Sequence, residues 1–346
     1  MLNARIAIIA AFVGSLCLGA IVISASDMFS HDHFPIHEHG HSHDNGESAQ
    51  NQSLVIPIPT PEPADFELIK VGWTLFNDPN LSSNKSVSCG TCHNLKTNGA
   101  QITPVSHGVK GQGKRNSLTV FNVSLNYRFF WDGRTNSLTK QLDGPIHTPT
   151  EMDSSWQNIH AYVSSSSTYQ TLFSAAKRPI TINDIKFALV SFQEQLLTPH
   201  SPFDQFLQGK EDAITPQAQK GWEAFQKIGC INCHQGSNIG GSLMQRFGYY
   251  SDTAEPNGGW VDTGRHAFTQ KDIDMHLFRV ASLRNVADTP PYFHDGRAAT
   301  LKKAINIMAD VQLGVTLEPE TVSDLVAFLH SLSAPRPHIL EELERD

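Results

Sequence analysis

Apolar residues fall at helical spacing in the region after residue 64, and they do so in two matching sets. Ile69, Trp73 and Phe76 share one helix face at i, i+4, i+7, and Ala218, Trp222 and Phe225 repeat that arrangement. Around them, Gly72-Trp73-Thr74-Leu75-Phe76 corresponds to Gly221-Trp222-Glu223-Ala224-Phe225. Thr215 followed by Pro216 marks the start of the second copy, as an N-cap with proline at the first helical position. A closing helix is predicted in each half. Leu189-Val190-Ser191-Phe192 leads to Leu196 and Pro199, and Leu325-Val326-Ala327-Phe328 leads to Leu332 and Pro335. Between the helices, Asn122-Val123 through Phe130-Trp131-Asp132-Gly133-Arg134 aligns without a gap, at an offset of 163, with Asn285-Val286 through Phe293-His294-Asp295-Gly296-Arg297. The pattern predicts a mainly α chain with two domains related by internal duplication, residues 64–201 and 202–346, joined near 202–214.

The segment before residue 64 reads differently. Residues 6–23 are almost unbroken apolar sequence, preceded by Arg5 and followed by Ser24-Ala25-Ser26-Asp27, a small-residue cleavage pattern. At 18 residues the run serves either as a signal peptide, residues 1–26, or as an uncleaved inner-membrane anchor. Residues 27–63 carry His31, His33, His37, His39, His41 and His43 among acidic residues, then a polar and Pro-rich stretch, which predicts a disordered tether. Imidazoles in such a tract bind copper, nickel or zinc, although a solvated linker with incidental metal affinity needs no fixed geometry.

With 346 residues and 39% hydrophobic content the chain buries a sizeable core. A net charge of -8 excludes a nucleic-acid partner and favours encounter with a basic protein. Of the five cysteines, Cys17 lies in the apolar run, and the other four form two identical patterns with no pair left for a disulfide.

Those patterns are Cys89-Gly90-Thr91-Cys92-His93 and Cys230-Ile231-Asn232-Cys233-His234. C-x-x-C-H is the c-type haem attachment signature. The two thiols form thioethers to one porphyrin, and the adjacent His becomes the proximal iron ligand. A redox C-x-x-C or half a zinc site needs no trailing His, and neither accounts for its return. Two covalent haem c groups are therefore expected, with His93 and His234 as axial ligands. Covalent haem attachment belongs to the exported side of a bacterial membrane, so it agrees with the apolar N-terminus in predicting a periplasmic protein.

The repeat also shows where the halves differ. Met308 lies on a predicted helix from Leu301, and its counterpart is Pro145, which cannot ligate iron. A Met opposite His234 saturates that haem and raises its potential, with Met244 and Met275 as competitors and core packing as the plain reading of each. The first half carries Glu151 where the second has Gly314, and His107 where the second has Gln270. A carboxylate near an open iron supplies the base that peroxide cleavage requires; otherwise Glu151 is a solvated surface acid. His107 is either a displaceable sixth ligand or an exposed loop residue, and Met152 is a further sulfur nearby. Trp131, opposite His294 in the repeat, is a core aromatic or a stepping stone for electrons.

Over roughly residues 64–336 the chain resembles the bacterial dihaem cytochrome c peroxidases. The resemblance rests on Leu81-Ser82-Ser83, Ser88-Cys89-Gly90-Thr91-Cys92-His93-Asn94, Phe130-Trp131-Asp132-Gly133-Arg134, Glu151-Met152, Leu283-Arg284-Asn285-Val286 and Pro291-Tyr292-Phe293-His294-Asp295-Gly296. It implies two cytochrome c-like domains. His93 and His107 would bracket the peroxidatic N-terminal haem at rest, and His234 and Met308 the high-potential C-terminal haem. Glu151 and Gln141 would line the peroxide pocket, with Trp131 between the haems. An interdomain Ca2+ would sit on the Asn116 side chain and the carbonyls of Thr289 and Pro291; the alternative for Asn116 is a local cap or turn. Family members often form homodimers. Two features depart from the family pattern: the His-rich tether, and the basic loop at 108–115, which leaves open whether reduction must release His107.

The expected activity is reduction of H2O2 to water with electrons from a small cytochrome c or a cupredoxin. One alternative is the related dihaem enzyme of methylamine utilisation, which oxidises tryptophans of a partner protein and has Tyr at the place of Met308. The other is a non-enzymatic dihaem electron carrier.

Overall fold

The computed structural model describes residues 54–251 and 261–345. The apolar run at 6–23 and the histidines at 31–43 lie outside the described residues. The first half contains α1 (Phe66–Asn77), α2 (Cys89–Cys92), a hairpin of β1 (His107–Gly108) and β2 (Gly111–Gln112), α3 (Leu138–Gln141), α4 (Asp143–His147), α5 (Trp156–Ser165), α6 (Ser167–Ala175) and α7 (Ile182–Glu194). The second contains α8 (Pro202–Leu207), α9 (Pro216–Ile228), β3 (Met244–Arg246), α10 (His266–Thr269), β4 (Leu277–Arg279), α11 (Leu301–Leu313), α12 (Pro319–Ser331) and α13 (His338–Arg345). The fold is mainly helical, with two small antiparallel pairs, β1 with β2 and β3 with β4. Among the described residues no helix is long and apolar enough to cross a membrane.

Local chemistry starts the long helices where the sequence places them. The Asp65 carboxylate accepts the N–H groups of Glu67 and Leu68 at the head of α1. Thr215 caps α9 by accepting from Ala218, with Pro216 at the first position. Helix α1 then crosses α7, and α9 crosses α12. Each crossing is closed by a glycine. A Cβ on Gly72 would overlap the Ala188 carbonyl, and one on Gly221 would overlap that of Asp324. This close approach brings Phe76 against Phe192, ring centroids 5.4 Å apart, and Phe225 against Phe328 at 5.1 Å.

Two apolar cores result. The first gathers Leu75, Phe76, Val163, Phe173, Ile185 and Phe192, and the second Phe203, Ile214, Phe225, Ile239, Leu325 and Phe328. Each fully buried side chain of this kind contributes roughly 1.5–3 kcal/mol. The loop-rich middles also match in detail. Gly133 donates to Phe130 O and Gly296 to Phe293 O, and Asp132 pairs with Arg134 as Asp295 does with Arg297. Phe130 and Phe293 both adopt positive φ, 63° and 72°, a conformation that a bulky L-residue keeps only where its surroundings impose it.

One sequence expectation is corrected near the start of the described residues. A disordered tether extending to residue 63 does not hold from residue 54 onward. Val55 is 1% exposed within the second core, Gly236 N donates to Leu54 O at 2.7 Å, and Ile58 N donates to the Asp204 carboxylate. The strap is an apolar run, Leu54-Val55-Ile56-Pro57-Ile58, and burial of Val55 and Ile58 with matched backbone partners orders it within an otherwise polar, Pro-rich stretch. At the other end, α13 packs away from its own half. Leu340 and Leu343 join the first core, and Arg336 Nε donates to Leu95 O at 2.8 Å.

Candidate functional site

A cavity of about 240 Å3 opens in the second half, lined mainly by apolar side chains. The end of α9 and the turn after it bring Cys230, Cys233 and His234 to its wall, and α11 brings Met308. Met244 and Met275 are absent from that wall; Met244 packs instead on Gly133. His234 Nδ1 lies 3.3 Å from the Ile239 carbonyl. Donation from Nδ1–H fixes the tautomer that leaves Nε2 with its lone pair, as a metal ligand requires.

The first attachment motif is the short helix α2, with His93 at its C-terminus. Both motif histidines pack on the aromatic ring of the preceding helix, Phe76 to His93 at 6.4 Å and Phe225 to His234 at 6.2 Å. His93 Nδ1 is buried against the backbone of Gly99 and Leu118 yet completes no hydrogen bond. Burial pushes both imidazoles down, His234 to about 4, so both are neutral at physiological pH.

The same burial pushes the Cys89 thiol up to about 12, and the thiols of Cys92 and Cys230 up to about 11. Thiol redox chemistry and zinc binding both require thiolates, which this setting disfavours. Among the described residues no three His, Cys, Asp or Glu side chains converge on one point, so a zinc site lacks further ligands. Paired neutral thiols, a neutral imidazole with a free Nε2, a thioether and an apolar cavity are instead the donor set of haem c. The residues present fit that group.

The other first-half candidates are arranged around Glu151. Its side chain is half-buried, and burial raises its carboxyl above the usual range, while the Arg134 guanidinium acts in the opposite direction. Its charge in turn acts on the thiols of Cys89 and Cys92, raising both after the larger effect of their burial. Gln141 ends α3 and is half-buried, whereas Met152 is 2% exposed in the first core. His107 is exposed on β1. Its loop is nonetheless fastened to the Glu151 segment: Val109 N donates to Glu151 O at 2.8 Å, Lys110 N to Pro149 O at 2.9 Å, and Lys110 pairs with Asp153.

Trp131 joins the two halves. Its Nε1 donates to Asn116 O at 2.9 Å, its ring meets His294 edge-on at 6.2 Å, and it lines the second cavity. Asn116, Thr289 and Pro291 lie on the wall of the same cavity. Asn116 Nδ2 donates to Thr103 O at 3.2 Å.

Sequence reasoning left Phe130 and Arg134 without roles, although both stand in the ungapped repeat. The Arg134 guanidinium lies 3.4 Å over the Phe130 ring and pairs with Asp132 at 2.8 Å. It also supplies the positive charge felt by Glu151. Their place in the repeated motif beside Trp131 was the available signal.

A family model described as di-haem cytochrome c peroxidase matches residues 66–212. The cytochrome c551 peroxidase of Pseudomonas aeruginosa is 41% identical over 286 residues, covering 80% of this chain and 82% of that protein. The enzyme of the same name from Nitrosomonas europaea is 38% identical over 280 residues, with coverage of 80% and 82%. Among solved structures, a MauG-like protein associated with microbial copper homeostasis superposes with a TM-score of 0.72 at 27% identity, covering 83% of this chain and 96% of that one. With the two haem-attachment motifs and their buried histidines in place, these likenesses establish that the chain belongs to the di-haem cytochrome c peroxidase family of oxidoreductases.

Proposed function

We propose that the protein is a periplasmic dihaem peroxidase that reduces H2O2 to water with electrons from a small cytochrome c or a cupredoxin. The observation that carries this reading is the half-buried Glu151 carboxylate, raised by burial and with its charge felt by Cys89 and Cys92, at the place where the second half has Gly314 instead. Haem supplies the redox chemistry when bound, delivering the two electrons that cleave the O–O bond. Glu151 takes the proton from one peroxide oxygen and returns it to the departing one, which leaves as water; the remaining oxygen becomes the second water with two donor electrons and two protons from solvent. A carboxylate raised above its ordinary range suits both halves of that transfer. Gln141 and the Arg134-supported Phe130 complete the pocket.

In the second half, His234 and Met308 would hold the electron-entry haem, and Trp131 would serve the route between the two groups. Met308 on the cavity wall supports this assignment and counts against the methylamine-utilisation chemistry, which has Tyr there. The matched helix crossings and turns support descent of the halves from one duplicated domain. His107 would serve as the resting ligand of the first haem. A Ca2+ bound by Asn116, Thr289 and Pro291 fixes the contact between the halves. Residues 1–26 export the chain or tether it to the inner membrane, and the functional unit is a homodimer.

The test is steady-state oxidation of a reduced small cytochrome c by the purified dihaem protein, with and without H2O2. Saturable, peroxide-dependent turnover is expected. Electron exchange without peroxide consumption would identify a carrier, and peroxide consumption without donor oxidation would point to a protein substrate.

A further inference from the structure

Two arginines are buried among the described residues, and they differ in what neutralises them. Arg284, 1% exposed, pairs with Asp204 at 2.7 Å and also donates to Ser237 O, Ser201 Oγ and Ile56 O. Arg279, 4% exposed, has no carboxylate within ion-pair distance among the described residues. Its Nε donates to Phe130 O and its Nη1 to Asn126 Oδ1, each at 3.3 Å. The Asn126 oxygen is already shared, accepting from Asn238 Nδ2 at 2.9 Å and Ser282 Oγ at 2.8 Å. A guanidinium carries five N–H donors and does not lose its proton in proteins, so those of Arg279 are left largely unmatched. An uncompensated buried charge costs several kcal/mol. Burial alone pushes this arginine down, to about 10, with no anion opposing it.

The position of Arg279 identifies the missing anion. It lies on β4 and lines the second cavity together with Asn126 and Trp131. Its backbone N–H is held by Trp131 O at 2.7 Å, which fixes this wall to the Phe130–Trp131 turn of the first half. Haem brings two propionate carboxylates into such a cavity, and a planar guanidinium fork matches a carboxylate with two parallel hydrogen bonds. We infer that Arg279 is the protein partner of a haem propionate in the second cavity, placing that propionate on the wall shared with Trp131 and Asn126. The inference rests on the assignment of haem to this cavity. It adds that the cofactor completes a charge pair the polypeptide leaves open, and that a positive charge built into the electron-entry site helps set its potential. A cation beside haem favours the ferrous state, because reduction removes one positive charge from the group.

The test compares the dihaem holoprotein with Arg279→Gln and Arg279→Lys. Three quantities are measured: haem per chain, the midpoint potential of the C-terminal haem by spectroelectrochemistry, and the propionate bending band in the resonance Raman spectrum. Gln is expected to lower the potential and shift the band, with Lys, which keeps the charge, lying closer to the parent in potential. Loss of haem in the Gln variant alone also supports the pair. Unchanged potential and band in a fully loaded Gln variant overturn the inference, as do equal losses in both variants, because the charge would then be irrelevant. One haem per chain in the parent would defeat the underlying cavity assignment instead.

Discussion

Asn122 and Asn285, at matching positions of the two halves, both donate their side-chain N–H to one hydroxyl, Thr198 Oγ1, at 2.8 and 2.9 Å. Each asparagine oxygen accepts a backbone N–H as well, from Thr198 for Asn122 and from Ala334 for Asn285. Asn122, Asn285 and Thr198 are all buried. A hydroxyl oxygen has two lone pairs, so one threonine can satisfy both amides. Thr198→Val should strand two buried donors and destabilise the fold by roughly 1–3 kcal/mol for each, whereas Thr198→Ser should stay close to the parent. Chemical denaturation of the three proteins measures the difference.

The strap at residues 54–58 depends on a buried ion pair. Arg284 and Asp204 have side chains 0% and 1% exposed, and between them they hold the backbone at Ile56 and Ile58. Replacing Asp204 by Ala leaves the guanidinium buried and alone, at a cost of about 3–5 kcal/mol. The midpoint of thermal unfolding should fall accordingly, and proteolysis should release the strap first. An unchanged midpoint would contradict the pairing.

Met308 has a distinct spectroscopic prediction. Its replacement by Ala should convert the C-terminal haem from low-spin to high-spin and lower its potential, since a thioether ligand raises it. Met244→Leu and Met275→Leu should leave both properties alone, because neither side chain reaches the cavity wall. Magnetic circular dichroism in the near infrared distinguishes the three variants.

If Glu151 is the base, its electrostatics should set the pH dependence of peroxide reduction. As a base it must be ionised, and burial raises its pKa above the ordinary carboxylate range, so kcat/KM should rise with pH along an acid limb displaced upward. Arg134 opposes burial, so Arg134→Leu should move that limb higher still. The linkage to stability has the same origin. An acid raised on folding stabilises the folded state fully at low pH, and this contribution is lost as pH rises from the unfolded pKa through the folded one. A limb that does not move in the arginine variant would show that another group is titrating.

What the sequence disclosed follows from the range of the interactions involved. The faces of α1 and α9 were legible because periodicity is local, and the haem motifs because thioether chemistry fixes their five residues. The repeat made Met308 stand out against Pro145 and Glu151 against Gly314. Other features depend on contacts far apart in the chain. Leu54-Val55-Ile56-Pro57-Ile58 is an apolar run inside the stretch that reads as tether, but where it packs is set by Asp204 and Arg284, well over a hundred residues away. Helix α13 was not anticipated, and the packing of Leu340 and Leu343 on the opposite half depends on the closed fold. Arg279 carries no signal in the sequence, and its burial follows only when the fold closes over it.

The central claim is that Glu151 is the proton shuttle of peroxide cleavage at the N-terminal haem. It is tested most directly by stopped-flow mixing of H2O2 and reduced cytochrome c with the one-electron-reduced dihaem protein, parent against Glu151→Gln. The account predicts rapid donor oxidation in the parent and a loss of roughly 10²–10⁴-fold in the variant, with both haems still attached. Donor oxidation at the parent rate in the Gln variant would contradict it.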